Sequence, residues 1–337
     1  MQTAVIQPLP GIGDMIWHLP HIRAIAARVG EPVTLITKPR SAADQIFSAE
    51  QTVRDVFWLD RNPEARRGEH DGGLGFLRMV NALRVRRFDA VYILHHSKTI
   101  ALLTALAGIP VRYGYGYGIQ RWFLNSGPTL PHAVLRQHPF DQATAWLRAA
   151  NIPMAEGEPV LPVVDAAVDV VRSRLGHMRS PVAIGIGSSE PYKQWGAARF
   201  AALADGLTEH GSELLILVGG RAEAELAEEI RALAKTRDIS TAIGWPLVEI
   251  AALFSLARFY VGNDTGVMNM AAAVGIPTYG LFGAVPPIHH SSHIIAIVPP
   301  DGVSKVEGME KIPVAQVLAR IEADQASMRA LPVARSR

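Results

Sequence analysis

Short apolar runs alternate with longer amphipathic stretches along nearly the whole chain. Thr3–Ile6, Val33–Thr37, Val53–Leu59 and Asp89–Leu94 are brief, apolar and bounded by turn residues, which predicts buried strands. Between them His18–Val29, Leu74–Arg87 and Thr99–Ala107 carry apolar positions at helical spacing. Residues 151–164 break the rhythm with three prolines and read as a linker. Alternation then restarts, with strands expected at Val182–Ile186, Glu213–Val218, Thr241–Ile243, Arg258–Val261, Thr278–Leu281 and Ile294–Val298. Helices are expected at Phe200–His210, Glu223–Lys235, Leu247–Leu256 and Val267–Val274. The predicted architecture is α/β, with two doubly wound Rossmann-like domains and a ligand cleft between their carboxyl sheet edges. The expected boundaries are residues 1–155, residues 156–312, and a C-terminal helix with a basic tail at residues 313–337.

Composition narrows the class. The 337 residues are 49% hydrophobic and 19% charged, enough to build substantial cores. With no cysteine there is no disulfide, thiolate metal site or cysteine nucleophile. No signal peptide and no membrane-spanning stretch is visible, so a cytoplasmic protein is expected. The net charge of +2 is uneven. Residues 1–150 hold 17 Lys and Arg against 11 Asp and Glu, a balance of +6. Arg61, Arg66, Arg67, Arg78, Arg84, Arg86 and Arg87 concentrate the excess, which suits an anionic acceptor or membrane surface, or else is a solvated helix face.

Three segments carry candidate chemistry. Val261-Gly-Asn263-Asp264-Thr265-Gly266 sets a polar turn between a strand and a helix, where Asp264 or Thr265 would cap the helix and free N–H groups would receive an anion. Gly187-Ser188-Ser189 with Lys193 and Trp195 offers hydroxyls and a cation after the first strand of the second domain, which suits a diphosphate. Gly11-Ile-Gly13-Asp14 follows the first strand. Asp14 there is either a helix cap or a carboxylate able to take a proton from a hydroxyl. The two glycines with Lys38 and Arg40 leave an NADP-dependent oxidoreductase as an alternative. His95, His96 and Lys98 end a strand at the expected cleft, and Arg112 and Arg121 lie near it, which makes all five acceptor-binding candidates. Nothing in the spacing of His289, His290 and His293 supplies a full metal-ligand set.

Taken in order, Gly13-Asp14, Ser188-Ser189 with Lys193-x-Trp195, and Asn263-Asp-Thr-Gly266 with Ala271-Ala-Ala273-x-Gly-x-Pro resemble the ADP-heptose–lipopolysaccharide heptosyltransferases, glycosyltransferase family 9. The resemblance implies a GT-B fold and an inverting glycosyltransferase. It would move a sugar, heptose by preference, from a nucleotide-diphosphate sugar such as ADP-heptose to a hydroxyl of a lipopolysaccharide core or other glycan. It implies Asp14 as catalytic base and Lys193 as the cation on the leaving diphosphate. The donor contacts it implies are Gly13, Ser188, Ser189, Glu223 (with Arg221 as a rival), Trp245, Asp264, Thr265, Gly266 and Asn269. Asn269 stands where the family usually has a histidine, which removes a titratable group. No cofactor and no metal are implied, and no nucleic-acid partner. The acceptor would be an anionic glycan or glycolipid, met at the inner membrane surface by a peripheral protein. A sugar-nucleotide-binding protein without turnover is a further alternative.

Overall fold

The structure is a computed structural model and describes residues 2–62, 66–155, 157–176, 180–212 and 214–330. Of the basic tail expected at residues 325–337, residues 325–330 are helical instead, and residues 331–337 lie outside the described residues. The chain divides into two units, Met1–Pro162 and Val163–Arg337. Unit one runs β1 (Thr3–Ile6), α1 (Ile12–Val29), β2 (Val33–Thr37), α2 (Ala43–Ile46), β3 (Val53–Trp58), α3 (Gly72–Arg86), β4 (Ala90–Ile93), α4 (Lys98–Leu106), β5 (Val111–Gly114) and α5 (Pro139–Ala149). Its five strands are parallel, in the order β3-β2-β1-β4-β5.

Unit two runs α6 (Asp165–Leu175), β6 (Val182–Gly185), α7 (Ala197–Glu209), β7 (Leu215–Gly219), α8 (Ala224–Leu233), β8 (Ile239–Ile243), α9 (Leu247–Leu256), β9 (Phe259–Asn263), α10 (Gly266–Val274), β10 (Thr278–Leu281), β11 (Ile294–Ile297) and α11 (Val314–Ala330). Its strand order is β11-β10-β9-β6-β7-β8, again all parallel. α11 is part of this unit, because Val317 and Ile321 are buried in its core.

Burial explains the elements. β1, β4, β6 and β9 are buried along their whole length, as expected for strands covered on both faces. α1 starts at Ile12, six residues before the expected His18, and passes through Pro20. Its buried run from Met15 to Ile22 gains more from packing than one missing amide bond costs. α1 ends where Gly30, at φ 76°, returns its N–H to Ala26.

In both sheets the connections reverse direction once, between β1 and β4 and between β6 and β9. Ligands of open α/β sheets bind beyond the carboxyl ends of strands at such reversals. At the second reversal Gly185 of β6 lies opposite Gly262 of β9. A Cβ on Gly262 would collide with the Gly185 carbonyl. Gly262→Ala is therefore expected to force the two strands apart and lower stability by about 1–3 kcal/mol. A urea unfolding midpoint equal to that of the parent would contradict this close approach.

Candidate active site

In unit two, four loops leave the carboxyl ends of the adjacent strands β9, β6, β7 and β8. Asn263 ends β9 with a fully buried side chain. Its amide nitrogen lies within hydrogen-bond distance of the carbonyls of Ile186 (3.2 Å) and Gly187 (3.1 Å) and of Gln194 Oε1 (3.2 Å). One side chain thus ties the Asp264 turn to the Ser188–Lys193 loop. Lys193 Nζ lies 2.6 Å from Asp264 Oδ2, with the two side chains 19% and 9% exposed. By residue type the two are separate ligand groups; the fold makes them an ion pair.

The expected capping of α10 by Asp264 or Thr265 is not made. Asp264 turns to Lys193, and Thr265 occupies the N-cap position without a side-chain bond to the helix N–H groups. The first N–H groups of α10, from Gly266 onward, are thereby left without a side-chain acceptor, and the positive end of the helix dipole points the same way. Ser188 forms a local turn, donating its hydroxyl proton to the Glu190 carbonyl, while Ser189 is exposed. Glu223, after β7, sits above the loop. A Cβ on Gly187 would lie 3.8 Å from its carboxylate and one on Gly220 3.1 Å. The rival Arg221 lies instead against Gly244, after β8. Trp245 in that last loop has the Arg174 guanidinium 4.7 Å over its ring, so only its other face is available to stack on a base. Asn269 is buried near the start of α10, and its Oδ1 has no hydrogen-bond partner.

In unit one, Asp14 occupies the third position of α1, and its Oδ2 accepts the Gly11 N–H at 3.0 Å. A Cβ on Gly11 would stand 2.7 Å from that oxygen, so the glycine makes room for the carboxylate. Gly13 is buried just before it. Burial raises the Asp14 pKa above the ordinary aspartate value, against the lowering effect of the Gly11 bond. One turn on, His18 is buried with Nδ1 2.7 Å from the Asp14 carbonyl. A carbonyl only accepts, so this shorter contact favours a proton on Nδ1, which the Gln7 amide nitrogen also approaches at 3.2 Å, and Nε2 has no partner. His95, after β4, stacks on His96 with centroids 4.4 Å apart, and Tyr117 meets His96 edge-on. His132 joins this group at 3.0 Å from the Tyr117 hydroxyl, a member the sequence reading missed. Lys98 and Arg121 are exposed.

Some basic candidates are committed elsewhere. Arg112 donates to the carbonyls of Phe123 (2.7 Å) and Ile109 (2.6 Å), so it braces the backbone around β5. Arg86 pairs with Asp55 and lies over Phe57, and Arg84 caps the C-terminal end of α4 through the Leu106 carbonyl. Among the described residues, no three His, Asp or Glu side chains gather as a metal-ligand group.

Burial also holds the pKa of His18 and of His95 down to about 4, from 6.5. The unfolded chain then binds protons that the folded unit does not, so stability falls as pH drops from about 6.5 toward about 4. Asp14 acts in the opposite sense but starts from the lower carboxylate range. A thermal midpoint that stays flat between neutral pH and about pH 5 would rule out two buried neutral imidazoles.

Comparison with known proteins identifies the family. The family model for glycosyltransferase family 9 (heptosyltransferase) matches residues 76–296. Lipopolysaccharide heptosyltransferase 2 of Escherichia coli K12 is 26% identical over 316 residues, covering 88% of each chain. The structure of an ADP-heptose lipopolysaccharide heptosyltransferase II from E. coli superposes with a TM-score of 0.78 at 22% identity, over 98% of this chain and all of that one. A family 9 glycosyltransferase from Veillonella parvula gives 0.80 at 19% identity, over 97% of each chain. These likenesses establish the fold expected from the sequence resemblance, GT-B, and the family match leaves the oxidoreductase alternative without support. The chain belongs to glycosyltransferase family 9 and is a glycosyltransferase.

Proposed function

We propose that this enzyme transfers heptose from ADP-heptose to a hydroxyl of a lipopolysaccharide-core acceptor, with inversion at the anomeric carbon. The observation that carries this reading is the convergence of Lys193, Asp264, Glu223 and the uncapped α10 N-terminus at the strand-order reversal of unit two. Lys193 and the α10 N–H groups hold the diphosphate, with Ser188 and Ser189 beside them. Glu223 and the open face of Trp245 suit ribose and base, and Asn269 Oδ1 accepts a hydroxyl or amino proton. Asp14 takes the proton of the acceptor hydroxyl as its oxygen bonds to the anomeric carbon. The carbon–oxygen bond to the diphosphate breaks, and ADP leaves with that electron pair. The charge it gains is met by Lys193 and the helix end, which need no metal ion. The names of the relatives, lipopolysaccharide heptosyltransferases 2 and 3, support this choice of acceptor. The acceptor is an anionic glycolipid, and the enzyme works at the inner membrane surface without crossing it.

A thermal-shift screen against ADP-heptose and ADP-, GDP-, UDP- and CDP-hexoses tests the donor. Donor at about 100 times its Kd adds roughly 2.7 kcal/mol of stability. Transfer from ADP-heptose to a heptose-free core is expected to persist after exhaustive chelation. Stabilisation by NADP alone, or turnover restored only by one divalent ion, would overturn the reading.

A further inference from the structure

The outer surface of unit one is lopsided. α3, α4 and the 3₁₀ segment Gly118–Phe123 lie side by side on one face of the sheet, anchored by Met79, Val80, Leu83, Ile100 and Leu103. The opposite stripe of α3 presents Leu74, Leu77, Arg78, Asn81 and Val85, spaced three, four, seven and eleven residues apart. Leu74 and Val85 are each 72% exposed, and Trp122 of the 3₁₀ segment is 76% exposed. Leu106, Tyr117 and Ile119 are exposed on the same layer. Among the described residues this layer holds seven of the eight exposed large hydrophobic side chains of the unit; the eighth is Val160.

Charge follows the same layer. From Gly72 to Leu124 there are seven Lys and Arg and one acid, Asp89. Arg84, Arg86 and Arg112 are bonded to groups of the same unit, Arg86 while still 42% exposed, and Arg78, Arg87, Lys98 and Arg121 are exposed. Aliphatic side chains, an interfacial tryptophan and cations that outnumber the acids among them suit a surface that is apolar a few ångströms down and anionic at its rim. The groove that borders this layer, between the C-terminal ends of α3 and α4, is lined by Arg84, Arg87 and Asp89 and takes in none of the exposed apolar side chains, so the apolar stripe is an open surface rather than a slot for a partner's helix. No helix of the described residues is long and apolar enough to cross a membrane.

We propose that the outer face of α3, α4 and the 3₁₀ segment rests on an anionic lipid bilayer, with Leu74, Leu77, Val85 and Trp122 in the headgroup–acyl boundary and Arg78 among lipid phosphates. This deepens the functional reading, since it names the surface that brings the enzyme to a glycolipid.

Flotation with vesicles tests it on the full chain without donor or acceptor. The parent protein is expected to bind phosphatidylcholine vesicles that contain phosphatidylglycerol, not pure phosphatidylcholine, and to release as salt rises. The triple variant Leu74→Gln/Leu77→Gln/Val85→Gln keeps helix-forming residues and touches no core, and is expected to bind at least roughly tenfold more weakly. Arg78→Gln alone, the variant least able to disturb folding, should cost about fivefold. Both variants should transfer sugar to a lipid-free acceptor at the parental rate. Equal binding to neutral vesicles, or unchanged binding by both variants, would overturn the assignment. So would parental self-association that the triple variant abolishes, which would make the face a contact between copies. A protein that binds vesicles yet transfers no heptose overturns the functional reading and leaves the docking face standing.

Discussion

Replacing Asp14 by Asn is expected to lower heptosyl transfer about 10²–10⁴-fold while donor affinity stays near that of the parent. Asn keeps the shape of the side chain, and its Oδ1 can still accept the Gly11 N–H, so α1 should start as before. What is lost is the capacity to take a proton. Apart from Gly13, the donor groups named above belong to unit two, so their affinity is the internal control. Because burial raises the Asp14 pKa, the acidic limb of kcat/KM should sit above the ordinary aspartate value of 3.8. Rate falls as pH drops through that raised value, since the base is then protonated. Near-normal turnover by Asp14→Asn on a competent acceptor would reduce Asp14 to a helix-entry residue.

The second large effect is expected at Lys193. Lys193→Met keeps most of the stem and removes the charge, leaving Asp264 almost buried without its cation. Breaking a buried pair from one side is costly; with Lys193 still one-fifth exposed, roughly 2 kcal/mol of stability should go. Donor affinity should fall by at least about tenfold. The double variant Lys193→Met/Asp264→Asn separates the two losses. It relieves the stranded carboxylate, so stability should return while donor affinity does not. If the double variant recovers both, Lys193 serves the fold and not the diphosphate.

Much of the frame was legible because buried parallel strands leave a strong mark. β1, β2, β10 and α9 fall on the expected residues, since each is a clean apolar run with polar or Gly/Pro borders. β5 is not among the expected strands, because Val111-Arg-Tyr-Gly114 is half polar and lies at the sheet edge, where strand patterning weakens. α5 and α6 were passed over. The first opens on Pro139, a good first helical residue that reads as a breaker, and the second follows the proline-rich stretch and buries only Ala167 and Val171. Strand order was beyond reach, because a run of apolar residues does not encode its neighbour. In the candidate site, residue types were visible but pairing was not. Lys193 and Asp264 lie 71 positions apart, and only the β6–β9 register makes them neighbours. The bracing bonds of Arg112 are hidden in the same way, since the carbonyls it reaches are visible only in three dimensions.

The Asn263 amide, set among three oxygens from the neighbouring loop, has a thermodynamic consequence. The loops at this edge lose their conformational entropy when the sheet assembles, before any ligand arrives. Association at the edge therefore proceeds without a loop-ordering penalty, and its heat-capacity change should reflect contact area rather than coupled folding. Cutting the tie with Asn263→Ala would move that entropy loss from the folding step to the binding step. The folded unit would become more plastic, and the ligand would bind with more favourable enthalpy offset by less favourable entropy.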